Sequence, residues 1–342
     1  MGKLRESRVA VVGAGAVGCY FGGMLARAGA SVTLLRRPKS ASAGETAVVN
    51  APLHMDSIHF QESINVAWAS DPAAARDADV VLFCVKAQDN ESAAQLLAPH
   101  VKTGAIVVSL QNGVDNVQRI HAASGIDALP TVVYVAASML APDRVKHIGR
   151  GDLIIGELPA ARRLSGAPLF PTPSVGKGGP ADLPRAERIA AMFEAAGVKC
   201  VVSPNVEADL WQKLMMNAAG NAITAIAQVS YGRVAAHEPS HQVVAGVINE
   251  CVAVARAAGV KLPDTDYVAG AIKLSSNLGN ATSSTAQDLA KGKRTEIDAL
   301  NGYVARLGAT LGVPTPVNST LLALVKLLEE TVVGQFELVK QR

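Results

Sequence analysis

Residues 8–18 read RVAVVGAGAVG. A short run rich in β-branched valine meets glycines at 13, 15 and 18, and CYFGGMLARAGA then continues with a helical texture that stops at Gly29, where a C-cap glycine belongs. SVTLLRR follows at the distance of one βαβ unit. Strand, glycine turn, helix and strand in that order give each glycine a task. Gly13 permits the tight turn, Gly15 lets backbone approach a pyrophosphate, and Gly18 lets the helix pack closely. Ala16 and Val17 complete the motif where a helix N-terminus favours an anion. Such a spacing is weak evidence alone in a chain with 30 glycines. Its place between a strand and a helix at the N-terminus makes it a dinucleotide site.

The second strand then decides which dinucleotide. An NAD site usually ends that strand with Asp or Glu to hold the ribose 2′-hydroxyl. Here it ends in Arg36 and Arg37, followed by Pro38 and Lys39. Guanidinium groups suit phosphate oxygens, so the pattern predicts a 2′-phosphate pocket and NADP(H).

Alternation continues outward from this unit. DADVVLFCVK (77–86) and GAIVVSLQNG (104–113) read as buried parallel strands, each followed by a helical stretch, ESAAQLLAPHV and VDNVQRIHAAS. Their ends carry Lys86, Gln88 and Asn112 at the carboxyl edge of the sheet, where ligands lie in open α/β folds. Asn112 with Gly113 is equally the sequence of an ordinary turn. LPTVVYVAASML and RGDLIIGEL lack an intervening helix and predict an antiparallel pair near the sheet edge. The stretch 159–184 is dense in Pro and Gly and reads as an exposed loop. After Pro204 long helical patterns take over. The reading is an α/β chain: an N-terminal Rossmann-type domain with a mostly parallel sheet over 1–203, and a C-terminal all-α domain over 204–342.

Composition agrees with two domains and excludes several classes. The chain has 342 residues, 49% hydrophobic and 18% charged, enough to bury a sizeable core and too apolar for disorder. Lys and Arg exceed Asp and Glu by 32 to 29 without a clustered basic face, so a nucleic-acid partner is not expected. Cys19, Cys84, Cys200 and Cys251 are scattered, with no CxxC, which argues against a zinc site or a disulfide framework and fits a reducing cytoplasm. There is no signal-peptide pattern, and no apolar run reaches the roughly 20 residues a membrane helix needs.

In LWQKLMMNAAGNAI, Lys213, Asn217 and Asn221 recur every four residues and share one helix face among apolar neighbours. Asparagine is a poor mid-helix residue, so two of them call for a reason; a solvated stripe is the competing account. Further on, NATSSTAQDLAKGKRTEIDALNG carries Ser283, Ser284, Asp288, Arg294, Glu296, Asp298 and Asn301. Thr295 and Asp298 read as a cap and acidic first turn of a helix over EIDALNGYVARLGATLGV. Glu296 is not needed for capping, and a surface carboxylate fits it equally.

GAGAVGCYFGGMLARAG, VTLLRR, VLFCVKAQD, SLQNGVDN, VKHIGRGDLIIGE, LWQKLMMNAAGNAITAI and SSTAQDLAKGKRTEIDALNGYV together resemble the ketopantoate reductase family, the 2-dehydropantoate 2-reductases. The resemblance implies a Rossmann domain and a helical domain with an active site between them. It also implies NADPH-dependent reduction of 2-dehydropantoate to pantoate, on the route to pantothenate and coenzyme A. Residue by residue it implies Lys213 as the catalytic lysine, and Asn217, Asn221, Ser284 and Glu296 as substrate-binding. Gly13, Gly15, Gly18, Arg37, Lys86 and Asn112 form the cofactor set, joined by Ala16, Val17 and Arg36 from the motif. No metal is required. The expected partner is a small 2-oxo acid, with no nucleic acid or membrane, in a homodimer. Two departures from the family pattern are the longer Pro/Gly-rich stretch and TAQD where many members have MLQD. The alternatives are reduction of another 2-oxo acid and a non-catalytic NADP(H) sensor.

Overall fold

The computed structural model describes residues 4–37, 47–159 and 184–340, the stretch 333–340 as backbone only. Pro38, Lys39 and nearly all of the Pro/Gly-rich stretch lie outside the described residues. The chain forms two compact units, one running to Val206 and the other from Glu207, with Asn112–Val114 grouped with the second.

In the first unit β1 (Arg8–Val12), α1 (Ala16–Arg27) and β2 (Ser31–Leu35) are followed by a hairpin of β3 (Val49–Ser57) and β4 (Gln61–Ala69). Then come β5 (Val80–Phe83), α2 (Asn90–Leu97), β6 (Ile106–Ser109), α3 (Asn116–Ser124), β7 (Ala128–Ala141), β8 (Arg144–Ile155), α4 (Arg185–Ala195) and β9 (Cys200–Val202). The strand order is β3-β4-β2-β1-β5-β6-β7-β8-β9, and the neighbours from β4 to β7 all pair parallel. Every residue of β5 and β6 is buried, which accounts for their unbroken Val and Leu runs. Phe21 of α1 meets Phe193 of α4 edge to face, with ring centres 5.9 Å apart.

The sheet is not the open one the sequence predicts. β3 pairs parallel with the start of β8, from His54 opposite Arg144 to Ser57 opposite His147, so the strands close on themselves. The antiparallel β7–β8 pair is therefore internal rather than near an edge. The length of β8 makes this possible: its first residues serve β3 and its last, Leu153–Ile155, serve β9. Between those two parts its register with β7 shifts, and Arg150 (φ 52°) and Gly151 (φ 148°) turn the strand. Ser57 Oγ and His147 Nδ1 lie 2.9 Å apart at the closure, and Arg144 pairs with Asp56 at 2.8 Å.

The second unit is helical, with α5 (Val206–Ala227), α6 (Tyr231–Ala235), α7 (Glu238–Ala257), α8 (Tyr267–Leu278), α9 (Ser284–Ala290), α10 (Asn301–Leu311) and α11 (Pro316–Lys340). EIDALNGYVARLGATLGV is not one helix. Ile297–Ala299 makes a 3-10 turn, Leu300 at φ −106°, ψ −104° breaks it, and α10 starts at Asn301. Thr295 caps no α-helix: its hydroxyl accepts from Ile297 N–H at 3.2 Å, and Asp298 falls in the first turn of the 3-10 stretch, where it pairs with Lys326. Buried Asn301 donates to Ala218 O (3.1 Å) and Asn318 Oδ1 (3.0 Å), tying α10 to α5 and α11. Among the described residues no helix is long and apolar enough to cross a membrane, and no group of three or more potential metal ligands occurs.

Asp79, just before β5, binds the first strand to its neighbour by accepting from Arg8 N–H at 2.9 Å and from Lys102. Burial works to raise its pKa, but the hydrogen bonds from Lys102 and Arg8 prevail and hold it at about 2. A depressed carboxylate stabilises above its unfolded value and loses that contribution as pH falls toward the folded one. Because Asp79 is partly exposed, Asp79→Asn should cost only about 1 kcal/mol at pH 7. In urea titrations the gap from wild type should hold from about pH 7 to 5 and shrink below about pH 4; a gap independent of pH would show that the charge is immaterial.

Candidate functional site

Two groups of residues carry the chemistry, and each lies within one unit. In the first unit the turn after β1 is built on missing Cβ atoms. Gly13 has φ +102°, and the N–H groups of Gly13 and Ala14 both donate to Leu35 O, at 3.3 and 3.1 Å. A Cβ on Gly18 would lie 2.2 Å from Gly13 O, so α1 is seated directly against the turn. Gly15 is different: it occupies the N-cap of α1, and a Cβ there would meet nothing within 4 Å. No side chain caps this helix, and its first turn, with Ala16 and Val17, holds no acidic residue.

This helix end opens on a cavity of about 700 Å³ bordered by Gly13, Gly15, Arg36, Arg37, Lys86 and Asp89. Arg36 stacks on Trp68, its guanidinium carbon 3.4 Å from the ring centre, and donates to Pro142 O at 3.2 Å. Among the described residues its buried Nε has no hydrogen-bond partner. Arg37 pairs with Asp89 and is three-quarters exposed. Uncapped helix N–H groups, a glycine with open space above it and cationic groups at the cavity fit a phosphate-bearing dinucleotide. Cys84 also borders the cavity, but burial raises its thiol well above the ordinary range, and Cys19 is pushed up to about 12 for the same leading reason.

The second group centres on Asn112. Lys213 Nζ donates to Asn112 Oδ1 at 2.9 Å, and Asn112 Nδ2 donates to Glu296 Oε2 at 3.0 Å. Lys213 and Asn217 on α5 are half-buried, whereas Asn221, one further turn along the same face, is 3% exposed. Tyr231 donates its hydroxyl to Asn221 Oδ1 at 2.7 Å, which orients the amide. Burial pushes the Tyr231 pKa up to about 12, so the hydroxyl keeps its proton. Ser283 caps α9, accepting from Ala286 N–H at 3.0 Å and donating to Asn221 O at 3.3 Å. Ser284 beside it is exposed. The structure thus joins Lys213, Asn112 and Glu296 directly and ties Asn221 to Tyr231 and Ser283. Asn112, assigned from sequence to the cofactor, makes these bonds to Lys213 and Glu296.

Tyr231 went unnoticed in the sequence, as did a buried polar cluster at the ends of β5 and β6. Ser109 Oγ donates to Gln111 Oε1 (2.8 Å), Gln111 Nε2 donates to Val85 O (2.8 Å) and to Asn90, and Asn90 Nδ2 donates to Asn116 Oδ1 (2.8 Å). These groups secure the residues next to Lys86 and Asn112. The available signal was a Gln and an Asn in succession just after a buried strand that itself ends in Ser109.

The family described as ketopantoate reductase PanE/ApbA matches residues 9–160, and its C-terminal part matches residues 205–329. The chain belongs to the ketopantoate reductase family. Curated relatives include the 2-dehydropantoate 2-reductase of Halobacterium salinarum, 31% identical over 330 residues, covering 94% of this chain and 99% of the relative. That of Archaeoglobus fulgidus is 31% identical over 326 residues, covering 95% and 99%. Among solved structures, a PanE/ApbA family ketopantoate reductase from Ralstonia eutropha JMP134 is 44% identical with a TM-score of 0.79, covering 95% of this chain and 99% of that one. This ketopantoate reductase family member is therefore an oxidoreductase acting on a CH–OH group, with a sheet unit followed by a helical unit.

The two glycines at the start of α1 should separate stability from binding. Gly18→Ala forces a Cβ against backbone and should cost about 1–3 kcal/mol in chemical denaturation. Gly15→Ala enters open space and should stay within about 0.5 kcal/mol of wild type. Equal losses would contradict the close seating of α1.

Proposed function

We propose that this chain is an NADPH-dependent 2-dehydropantoate 2-reductase that reduces the ketone of 2-dehydropantoate to the alcohol of pantoate. The observation that carries this reading is the hydrogen-bonded line Lys213–Asn112–Glu296. A bound NADPH supplies the hydride. Gly13, Gly15, Ala16, Val17 and Gly18 receive its pyrophosphate, Arg36 and Arg37 its 2′-phosphate, and Lys86 lines the same cavity. Residues 1–203 bind the cofactor and 204–342 bind substrate and carry the catalytic lysine. We place the enzyme in the cytoplasm as a homodimer.

As the ketone is reduced, negative charge develops on its oxygen. The Lys213 ammonium polarises the carbonyl and donates the proton that makes the alcohol. Asn112, a neutral amide, orients that ammonium. Asn217 and Asn221 hydrogen-bond the substrate, and Tyr231 fixes which way the Asn221 amide faces. Ser284 binds the substrate carboxylate, and its exposure leaves it accessible. Glu296 accepts from the 4-hydroxyl. A 2-oxo acid without that hydroxyl forfeits one hydrogen bond to the half-buried carboxylate, which keeps its bond from Asn112, a cost of about 1–3 kcal/mol that favours 2-dehydropantoate over simpler 2-oxo acids.

The direct test is NADPH oxidation by 2-dehydropantoate, followed spectrophotometrically. Turnover is expected; turnover only with another 2-oxo acid, or binding without turnover, would overturn the reading. Lys213→Ala should lower kcat and kcat/KM by about 10² to 10⁴ while the NADPH dissociation constant stays near wild type. Arg37→Ala should raise the KM for NADPH and leave that for NADH nearly unchanged, and equal losses with both cofactors would make the arginine structural.

A further inference from the structure

In the sequence LVKLLEE of α11, Glu330 is exposed but Glu329 is only 5% exposed. A carboxylate is costly to bury unless its oxygens find donors. Glu329 Oε1 accepts from Thr295 N–H at 2.6 Å and also from the Thr295 hydroxyl. Its Oε2 faces Lys326 Nζ at 3.1 Å, and the same ammonium reaches Asp298 Oδ2 at 2.9 Å. Arg306 of α10 donates to Asp298 O at 2.9 Å. Thr295 immediately precedes Glu296 and Asp298 follows two residues later, so the backbone is held on both sides of a carboxylate that reaches Asn112. The fastening is exacting because an acceptor-only carboxylate is matched to a backbone N–H, a hydroxyl and an ammonium, all donors.

We infer that Glu329, supported by Lys326, is a positioning residue that sets the Glu296 carboxylate for recognition of a hydroxyl-bearing 2-oxo acid. The inference rests on the proposed role of Glu296 and extends the specificity machinery to a helix that contributes no residue to the Lys213–Asn112–Glu296 line. Glu329 meets neither Lys213 nor Asn112; it acts by fixing the turn 295–298. Loss of its carboxylate leaves the Thr295 N–H and hydroxyl buried without their acceptor and lets the turn relax. A glutamine retains an acceptor for Thr295 while giving up the charge toward Lys326.

The test uses the full-length enzyme and compares Glu329→Ala, Glu329→Gln, Glu296→Ala and the double variant Glu296→Ala/Glu329→Ala. The measurements are kcat, KM for 2-dehydropantoate, calorimetric Kd for pantoate and for NADPH, and thermal stability. Glu329→Ala should raise KM for 2-dehydropantoate and Kd for pantoate about tenfold with the NADPH Kd unchanged. Glu329→Gln should restore most of that loss, and in the Glu296→Ala background Glu329→Ala should add less than about twofold. The same loss in both backgrounds, or a matching loss of NADPH affinity, would overturn the positioning role while leaving the reading of Glu296 intact. If Glu296→Ala itself leaves KM and pantoate binding unchanged, the reading of Glu296 fails and this inference with it. Should Glu329→Ala not fold, Lys326→Met must still raise KM for 2-dehydropantoate and spare NADPH binding; an unchanged KM there overturns the proposal.

Discussion

One amide, Asn112, stands between an ammonium and a carboxylate. An amide has a donor end and an acceptor end, and only one orientation serves both neighbours: carbonyl oxygen toward Lys213, NH₂ toward Glu296. The reverse would set donor against donor and acceptor against acceptor. Three separate pieces of the second unit must therefore arrive in register: the Asn112–Val114 segment, the second turn of α5 and the turn before α10. Much of the remaining polar structure fastens those pieces. The Ser109–Gln111–Asn90–Asn116 cluster secures the residue preceding Asn112, Asn301 ties α5 to α10, and Glu329 holds the turn that carries Glu296.

The glycine turn works by the opposite means. There space is kept by the absence of side chains. Gly18 brings α1 within reach of Gly13 O, and Gly15 leaves the helix end uncovered. Arg36 then adds rigidity of its own, since stacking on Trp68 fixes the plane of the guanidinium before any anion arrives. Amides order the second unit's polar group, whereas small residues and one flat stacked cation shape the first unit's cavity. The low aromatic content, 4%, is spent at points such as this one.

What was legible in the sequence was local. The turn after β1 could be read because its glycines lie five residues apart at most, and Lys213, Asn217 and Asn221 because helical periodicity aligns them within one element. Ring closure could not be read in the same way. It depends on His54 meeting Arg144, and although Val49, Ala51, Leu53 and Met55 alternate with polar neighbours along β3, that period marks a strand without naming a partner about ninety residues away. The break at Leu300 is likewise dictated from outside, since Glu329 and Lys326 capture Thr295 and Asp298 before they can begin a helix. Tyr231 escaped notice because its hydroxyl matters only through Asn221, ten residues away on another helix.

Closure of the strand ring also constrains the order in which the first unit can form. β1, α1 and β2 can assemble from neighbouring segments, but β3 lacks its second partner until β8 has been made, about ninety residues later along the chain. During synthesis the β3–β4 hairpin therefore waits with one backbone edge open, the kind of exposed edge that invites pairing with other chains. The charged and polar residues along β3 and β4, among them Asp56, Glu62 and the solvent-facing Gln61, suit that interval. They make the waiting edge a poor template for its neighbours, and that polarity protects the nascent chain.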